Sequence, residues 1–171
     1  MGRVFVSLGS NIGDRLRFLQ KAVDALGNAS GFKVRAASPV YETEPVGKKD
    51  QRRFLNAAVE LESLLSPDSI LVKLKQIERA VGRTPSQRWG PREIDLDLIY
   101  IGDLVVQSPT LTLPHPEAAV RRFVLAPLAE IAPNFVDPLR KRTLRDMLSN
   151  CLDECEVSKT SSMIHFSAVE S

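Results

Sequence analysis

Two aspartates, Asp95 and Asp97, and the arginine-rich segment before them are the part of the sequence best suited to chemistry. Residues two apart in a strand point to the same side, so the two carboxylates would project together with their Cα atoms about 6 to 7 Å apart. That spacing suits carboxylates that hold one Mg²⁺ or bridge two ions about 4 Å apart. Arg88, Trp89 and Arg92 come just before the pair, so the segment predicts a site that binds a polyphosphate.

A simple amphipathic strand with one solvated face is the alternative interpretation of this segment. In the strand pattern, the face opposite the aspartates is made of Ile94, Leu96, Leu98 and Tyr100. Ile99 and Ile101 would continue the aspartate face as apolar residues, so we expect that face to be partly buried. Burying two like charges without a cation is unfavourable, which favours the metal site over the solvated face.

The composition limits the classes of protein to which the chain can belong. Its 171 residues, 43% hydrophobic and 26% charged, fit one globular domain with a substantial core. A net charge of +2 is too small to indicate a nucleic-acid partner, and no apolar run is long enough to cross a membrane. Cys151 and Cys155 form neither a disulfide framework nor a complete metal site. We expect a cytoplasmic protein, monomeric or weakly self-associating.

Hydrophobic periodicity predicts the elements that must position the aspartates. Strands are expected at 3–8, 32–37 and 54–61 and across the aspartate segment, with helices at 16–26 and 67–81. Ser66 and Pro67 form a good helix start, and Gly82 ends the second helix. The order β-α-β-β-α-β predicts an α+β fold, the ferredoxin-like split βαβ sandwich with helices packed on an antiparallel sheet.

The remaining segments are predicted to be loops and short helices. Residues 38–53 are rich in proline, glycine and charge and predict a long functional loop. A loop is also expected at 83–91, with short helical stretches after Pro116 and at 143–150. Residues 1–150 would form a single domain, and the Ser-rich residues 151–171 a loosely held C-terminal tail.

Five sequence blocks agree in order and spacing with one known family. They are Leu8–Asp14, Tyr41–Gly47, Phe54–Val59, Arg88–Ile99 and Leu113–Leu128. Over about residues 3 to 150 the chain resembles the 6-hydroxymethyl-7,8-dihydropterin pyrophosphokinases of folate biosynthesis. The resemblance implies an enzyme that transfers pyrophosphate from ATP to the hydroxymethyl group of the reduced pterin and releases AMP. It also implies two Mg²⁺ ions between the paired aspartates and the triphosphate.

The resemblance assigns roles to individual positions. Asp95 and Asp97 would bind the metal and, with Arg83 and Arg92, form the catalytic set. The ATP contacts would be Arg83, Arg88, Leu98, Thr112, His115 and Arg121. The pterin contacts would be Thr43, Glu44, Val46, Phe54, Asn56, Trp89 and Phe123. Glu78 would orient an arginine or touch the nucleotide.

Other interpretations stay open at the level of sequence. The arginines could be surface residues, the phenylalanines plain core, and His115 a turn residue bonded to backbone. An RNA-binding ferredoxin-like module is a second functional class, but it should carry aromatic and basic residues on its central strands. This chain has 6% aromatic residues, and its aspartate strand would repel phosphate without metal. A catalytically inactive scaffold finds no support, since the matched ligand positions are intact.

Overall fold

The computed structural model describes residues 2–46, 50–85 and 90–167. The strands are β1 Gly2–Ser10, β2 Lys33–Ala37, β3 Pro39–Thr43, β4 Phe54–Ser63, β5 Asp95–Ile101, β6 Val106–Gln107, β7 Thr112–Leu113 and β8 Val157–Met163. The helices are α1 Arg15–Asn28, α2 Pro67–Val81, α3 Arg122–Ile131 and α4 Leu144–Ser149, with a 3₁₀ turn at Pro116–Ala119. No helix within these described ranges has the length and hydropathy needed to span a membrane.

The main sheet is antiparallel and has the strand order β5-β1-β4-β3-β8, with β2 also paired to β4. β2 and β3 lie along the same side of β4 and together take the place of one strand. The order therefore matches the ferredoxin-like arrangement, and the predicted fold class is confirmed. β6 and β7 form a separate two-stranded ribbon.

Each face of the sheet is covered by its own pair of helices. α1 and α2 pack on one face through residues such as Leu19, Leu26 and Leu74, which are buried with Val6 of β1. α3 and α4 cover part of the other face, where Leu125 packs in the core that contains Phe5, Ile99 and Tyr100. The face under α3 and α4 also carries the aspartates, because strand residues alternate between faces.

The aspartate strand departs from its predicted alternation at one point. Ile94, Leu96 and Leu98 lie in the core under α1 and α2, as predicted. Tyr100, however, lies with Ile99 in the core under α3 and α4, and Ile101 packs toward α1 and α2. The prediction for Tyr100 and Ile101 is wrong because the β1–β5 pairing shifts register between Phe5 and Val6, which inserts an extra residue into β5.

Three segments differ from the prediction because tertiary contacts organise them. Residues 38–53 do not form one long loop, since they contain β3, in which Tyr41–Thr43 pair with β4. The predicted loose tail at 151–171 is wrong for its described part, since β8 pairs with β3 and Ile164 is buried in the core. α3 extends over 10 residues, longer than the short helical stretch expected after Pro116. The serine-rich strand β8 has no strong apolar alternation, and α3 contains Pro127, a residue that usually ends or kinks a helix.

Candidate active site

A cleft of about 300 Å³ opens on the sheet face that α3 leaves partly uncovered. Its floor is formed by residues of β1, β4 and β5, and its sides by the segment after β3 and by the start of α3. The predicted site residues that line it are Thr43, Glu44, Val46, Phe54, Asn56, Arg92, Asp95, Asp97, His115, Arg121 and Phe123. Residues separated by up to 80 positions in the chain are thus brought into one cavity.

Pairing between neighbouring strands fixes the positions of the aspartates. Asp97 lies opposite Ser7 of β1, and Asp95 lies opposite Gly9. Both carboxylates point into the cleft, as the two-residue spacing predicts. Gly9 itself lies opposite Asn56 of β4. Asp95, Gly9 and Asn56 therefore lie side by side on three neighbouring strands, with the carboxylate at one side of the cleft and the amide at the other.

The Asp95 carboxylate is held by two arginines. Arg83 Nη1 donates to Oδ1 at 2.7 Å, and Arg92 Nη1 donates to Oδ2 at 2.9 Å. The same Arg83 nitrogen also donates to Glu78 Oε2 at 3.0 Å. Arg83 does not line the cleft but reaches it through Asp95.

Glu78 supports this network from α2. Its side chain is 2% exposed, and Oε2 accepts the Leu96 N–H, between the two aspartates, at 2.7 Å. Lys75 Nζ lies 3.2 Å from the other carboxylate oxygen. Burial raises the pKa of Glu78, while the bond from Leu96 and the charge of Lys75 oppose that shift. Glu78 thus ties α2 both to the backbone of β5 and to Arg83.

Asp97 has a different environment from Asp95. Among the described residues it forms no ion pair, and burial together with the negative charge of Asp95 raises its pKa to about 7. Two neighbouring, partly buried carboxylates fit a divalent cation, because the cation would remove this electrostatic cost. No group of three or more metal-ligating side chains occurs in the described ranges. Two carboxylates nevertheless suit Mg²⁺, which completes its shell with water and substrate phosphates.

Arg92 is positioned by Asn11, which the sequence interpretation did not identify. The Asn11 N–H donates to the Arg92 carbonyl at 3.0 Å, and Asn11 Oδ1 accepts the Arg92 N–H at 2.8 Å. The Asn11 amide also donates to Gln51 Oε1 and to the Arg52 carbonyl. Arg92 Nε is buried and has no partner in the described part of the chain, so it remains available to an anionic ligand.

Aromatic and amide groups occupy the other half of the cleft. Phe54 and Asn56 project from β4, and Phe123 projects from the first turn of α3. Asn56 Nδ2 donates to Thr43 Oγ1 at 2.5 Å, which fixes the orientation of the amide. A Cβ at Gly9 would lie 3.0 Å from Asn56 Oδ1 and 3.4 Å from Phe54, so glycine leaves room for both side chains.

His115 and Arg121 lie on the third side of the cleft. The His115 N–H donates to the Ile99 carbonyl, and its Nδ1 accepts the Glu117 N–H at 3.0 Å. Nε2 therefore carries the proton of the neutral ring, and burial lowers the pKa of His115. Arg121 Nε donates to Glu117 Oε2 at 2.5 Å. Glu117, a second residue missed from sequence, thus positions both.

Among the described residues, the predicted site residues that do not line the cleft are Arg83, Leu98 and Thr112. Leu98 is buried in the core under α1 and α2, because it alternates with Asp97 along β5. Thr112 is exposed at the start of β7. Arg88 and Trp89 lie outside the described residues. Asn11 could be suspected from sequence only as a buried polar residue, since its partner Arg92 is 81 positions away. Glu78 holds Arg83, which is one of the two roles expected of it.

Comparison with known proteins identifies similar sequences. The model of the family described as 7,8-dihydro-6-hydroxymethylpterin-pyrophosphokinase (HPPK) matches residues 5–133. The chain is 46% identical over 127 residues to the Bacillus subtilis 2-amino-4-hydroxy-6-hydroxymethyldihydropteridine pyrophosphokinase, covering 74% of this chain and 76% of that protein. It is 44% identical over 149 residues to the Methylorubrum extorquens protein of the same name, covering 87% and 93%.

Comparison with solved structures supports the fold. The wild-type Plasmodium falciparum HPPK-DHPS crystal structure matches with a TM-score of 0.69 at 14% identity and covers 86% of this chain. This chain spans 44% of the length of that protein. At this identity the match concerns the fold alone, and it agrees with the antiparallel sheet and packed helices described above.

Proposed function

We propose that this chain, which belongs to the HPPK family, transfers pyrophosphate from ATP to the hydroxymethyl group of 6-hydroxymethyl-7,8-dihydropterin. The products are AMP and the pterin diphosphate, so the enzyme is a transferase of folate biosynthesis. The observation that carries the proposal is that one cleft holds the paired aspartates, the arginines and two phenyl rings with an amide. Those groups match the chemistry of a magnesium polyphosphate and of a flat heterocycle.

The reaction needs accurate positioning more than covalent help from the protein. The pterin hydroxyl oxygen forms a bond to the β-phosphorus of ATP as the bond from that phosphorus to the α,β-bridging oxygen breaks. The electron pair leaves with AMP, and the hydroxyl proton is lost to solvent. Holding the oxygen in line with the leaving group converts an encounter of two substrates into a step within one complex.

We assign the metal site to Asp95 and Asp97, with two Mg²⁺ ions expected. When bound, the ions would neutralise phosphate charge and stabilise the charge that develops during transfer. Arg92 suits the transferring phosphates because its guanidinium forks can bind oxygens in pairs and its Nε lacks a partner among the described residues. Arg83, now bonded to Asp95 and Glu78, would join it once a cation replaces it at Asp95.

The remaining cleft residues divide between the two substrates. His115, through Nε2–H, and Arg121 would donate to nucleotide phosphates. Phe54 and Phe123 would sandwich the pterin, and Asn56 would bond its polar edge. The rim would be completed by Thr43, Glu44 and Val46. Substrate contacts from Arg88, Trp89, Leu98 and Thr112 remain proposals from the sequence resemblance. A monomeric state, a cytoplasmic location and the absence of nucleic-acid or membrane partners are proposals as well.

An AMP-release assay tests the function. Purified protein with ATP, Mg²⁺ and the reduced pterin should release AMP, and omission of either Mg²⁺ or pterin should stop the release. The Asp97→Ala variant should be nearly inactive, whereas Asp103→Ala, at an exposed turn, should match the wild type. A wild-type protein that binds RNA and releases no AMP would instead support the RNA-binding module. A fully active Asp97→Ala variant would overturn the metal assignment.

A further inference from the structure

We propose that the C-terminal segment Cys151–Glu156 positions both walls of the pterin half of the cleft, an inference that rests on the proposed function. We call this segment the C-terminal bridge. It lies beyond residues 5–133, the part of the chain that the family model matches. It contacts the start of α3 at one end and the segment after β3 at the other. Its acidic and backbone groups would thereby set the width of the slot for the heterocycle.

The first wall is attached to the bridge through Arg122. The Arg122 N–H donates to Asp153 Oδ2 at 2.9 Å, so Asp153 supplies the side-chain cap that Arg121 does not give to α3. Arg122 Nε donates to the Asp153 carbonyl at 3.0 Å, and Nη2 donates to the Cys151 carbonyl at 2.9 Å. Phe123 is the next residue in the chain, so these three bonds hold its backbone.

The second wall is attached through Glu44 and Arg53. The Glu44 N–H donates to the Glu156 carbonyl at 3.2 Å, and the Glu156 N–H donates back to Glu44 Oε1 at 3.0 Å. Arg53 Nη2 lies 3.1 Å from Glu156 Oε2. Glu44 lines the cleft, and Arg53 comes just before Phe54, whose ring lines it as well. The bond from the Glu44 N–H to the Glu156 carbonyl continues the β3–β8 ladder beyond Thr43.

The 6 residues of the bridge therefore connect Phe123 to the Glu44 side of the slot. Along the sequence, Glu44 and Phe123 are separated by a much longer stretch of chain. Asp153 also accepts the Cys155 N–H at 3.0 Å, which stiffens the bridge itself. The metal-binding aspartates lie on β5, at the opposite edge of the sheet from β8. Loosening the bridge should accordingly weaken pterin binding and leave the nucleotide and metal contacts in place.

The expected effect of loosening the bridge is selective for one substrate. Asp153→Ala removes the cap of α3, and Arg122→Met removes the two side-chain bonds to the bridge carbonyls. Each should raise the KM for the pterin about tenfold, which corresponds to about 1.4 kcal/mol and to the loss of a charge-assisted hydrogen bond. The kcat and the KM for ATP should equal those of the wild type.

The matched control is Glu154→Ala, since Glu154 is an exposed carboxylate of the same bridge that makes no hydrogen bond or ion pair within the described ranges. Each variant is assayed by AMP release with the pterin varied at saturating ATP and Mg²⁺, and then with ATP varied at saturating pterin. Equal thermal unfolding midpoints for Asp153→Ala and Glu154→Ala would show that the KM change does not arise from global destabilisation.

Three outcomes would overturn the inference. In the first, Asp153→Ala and Arg122→Met keep the wild-type KM for the pterin while the wild type is active, which leaves the proposed function standing. In the second, they lower kcat or raise both KM values to the same degree, which indicates a general structural role for the bridge. In the third, the wild type releases no AMP, and the proposed function and the bridge both fail.

Discussion

Arg92 and Asp95 form an ion pair within the cleft, with 2.9 Å between Arg92 Nη1 and Asp95 Oδ2. Arg83 holds the other oxygen of the same carboxylate at 2.7 Å. These two guanidinium groups bind the carboxylate oxygens of Asp95 that the proposed metal site would use. If a magnesium nucleotide binds, each arginine would exchange the Asp95 carboxylate for a phosphate group, and Asp95 would bind the cation instead.

Replacement of Arg92 should reduce turnover without unfolding the protein. We expect Arg92→Ala to lower kcat about 100-fold, the size of effect seen when one preorganised donor to developing charge is removed. Arg92→Lys should be intermediate, because it keeps the charge but loses the planar fork. AMP release measures both variants, and Arg79→Ala, on the exposed side of α2, is the control. Wild-type turnover in Arg92→Ala would refute the role assigned to this guanidinium.

Asp97 should destabilise the metal-free protein at neutral and higher pH. Its pKa is about 7 in the folded state against 3.8 in the unfolded chain, so the folded state holds the proton more tightly. The free energy of unfolding should fall as the pH rises from about 4 to 7 and stay low above it, by up to about 4 kcal/mol at 1.36 kcal/mol per pKa unit. Asp97→Asn should therefore raise the melting temperature at pH 8 while it abolishes turnover.

Thermal unfolding in the presence of a chelator tests the predicted effect of Asp97 on stability. The stabilisation by Asp97→Asn should shrink as the pH falls below 7 and disappear below about pH 3, where Asp97 is protonated in both states. Asp103→Asn, at an exposed turn, should change the melting temperature little at any pH. A melting temperature at pH 8 that is lower in Asp97→Asn than in the wild type would contradict the raised pKa.

The same proton should compete with magnesium. Because Asp97 must be ionised to bind the metal, the Mg²⁺ concentration that gives half-maximal AMP release should increase as the pH falls below 7. We expect an increase of about fivefold between pH 7 and pH 6, since one proton with a pKa of about 7 is displaced per site. The measurement is a Mg²⁺ titration at fixed ATP and pterin. An Mg²⁺ requirement that is the same at pH 6 and pH 8 would argue against Asp97 as a ligand.

Asn11 should be needed for both stability and turnover. Asn11→Ala would leave the Arg92 N–H and the Arg52 carbonyl without their side-chain partner, and the cost of such a loss is about 1 to 3 kcal/mol. For a chain of this size we expect the melting temperature to fall by about 3 to 10 °C. Turnover should fall further than in Asn28→Ala, whose side chain is exposed at the end of α1. Unchanged values for both would show that Asn11 does not position Arg92.

The sequence predicts the acidic side of the site better than its supports. Asp95 and Asp97 share a face because strand side chains alternate, and α2 begins and ends as predicted because Ser66 caps it and Gly82 follows it. Their supports, by contrast, come from residues far away in the chain. Asn11 reaches Arg92 across 81 positions, a contact that local periodicity does not encode.

By itself, the sequence determined the order of β1, α1, β2, β4, α2 and β5, the ferredoxin-like fold and the pairing of the two carboxylates, since these depend on short-range repeats and on residues with fixed backbone preferences. Only the tertiary structure decided that Tyr100 leaves the alternation of β5 and that a serine-rich tail forms β8. It also decided that Phe123 comes to lie across the cleft from the β3 edge. These features depend on strand register and long-range packing, which arise only when distant segments are brought together.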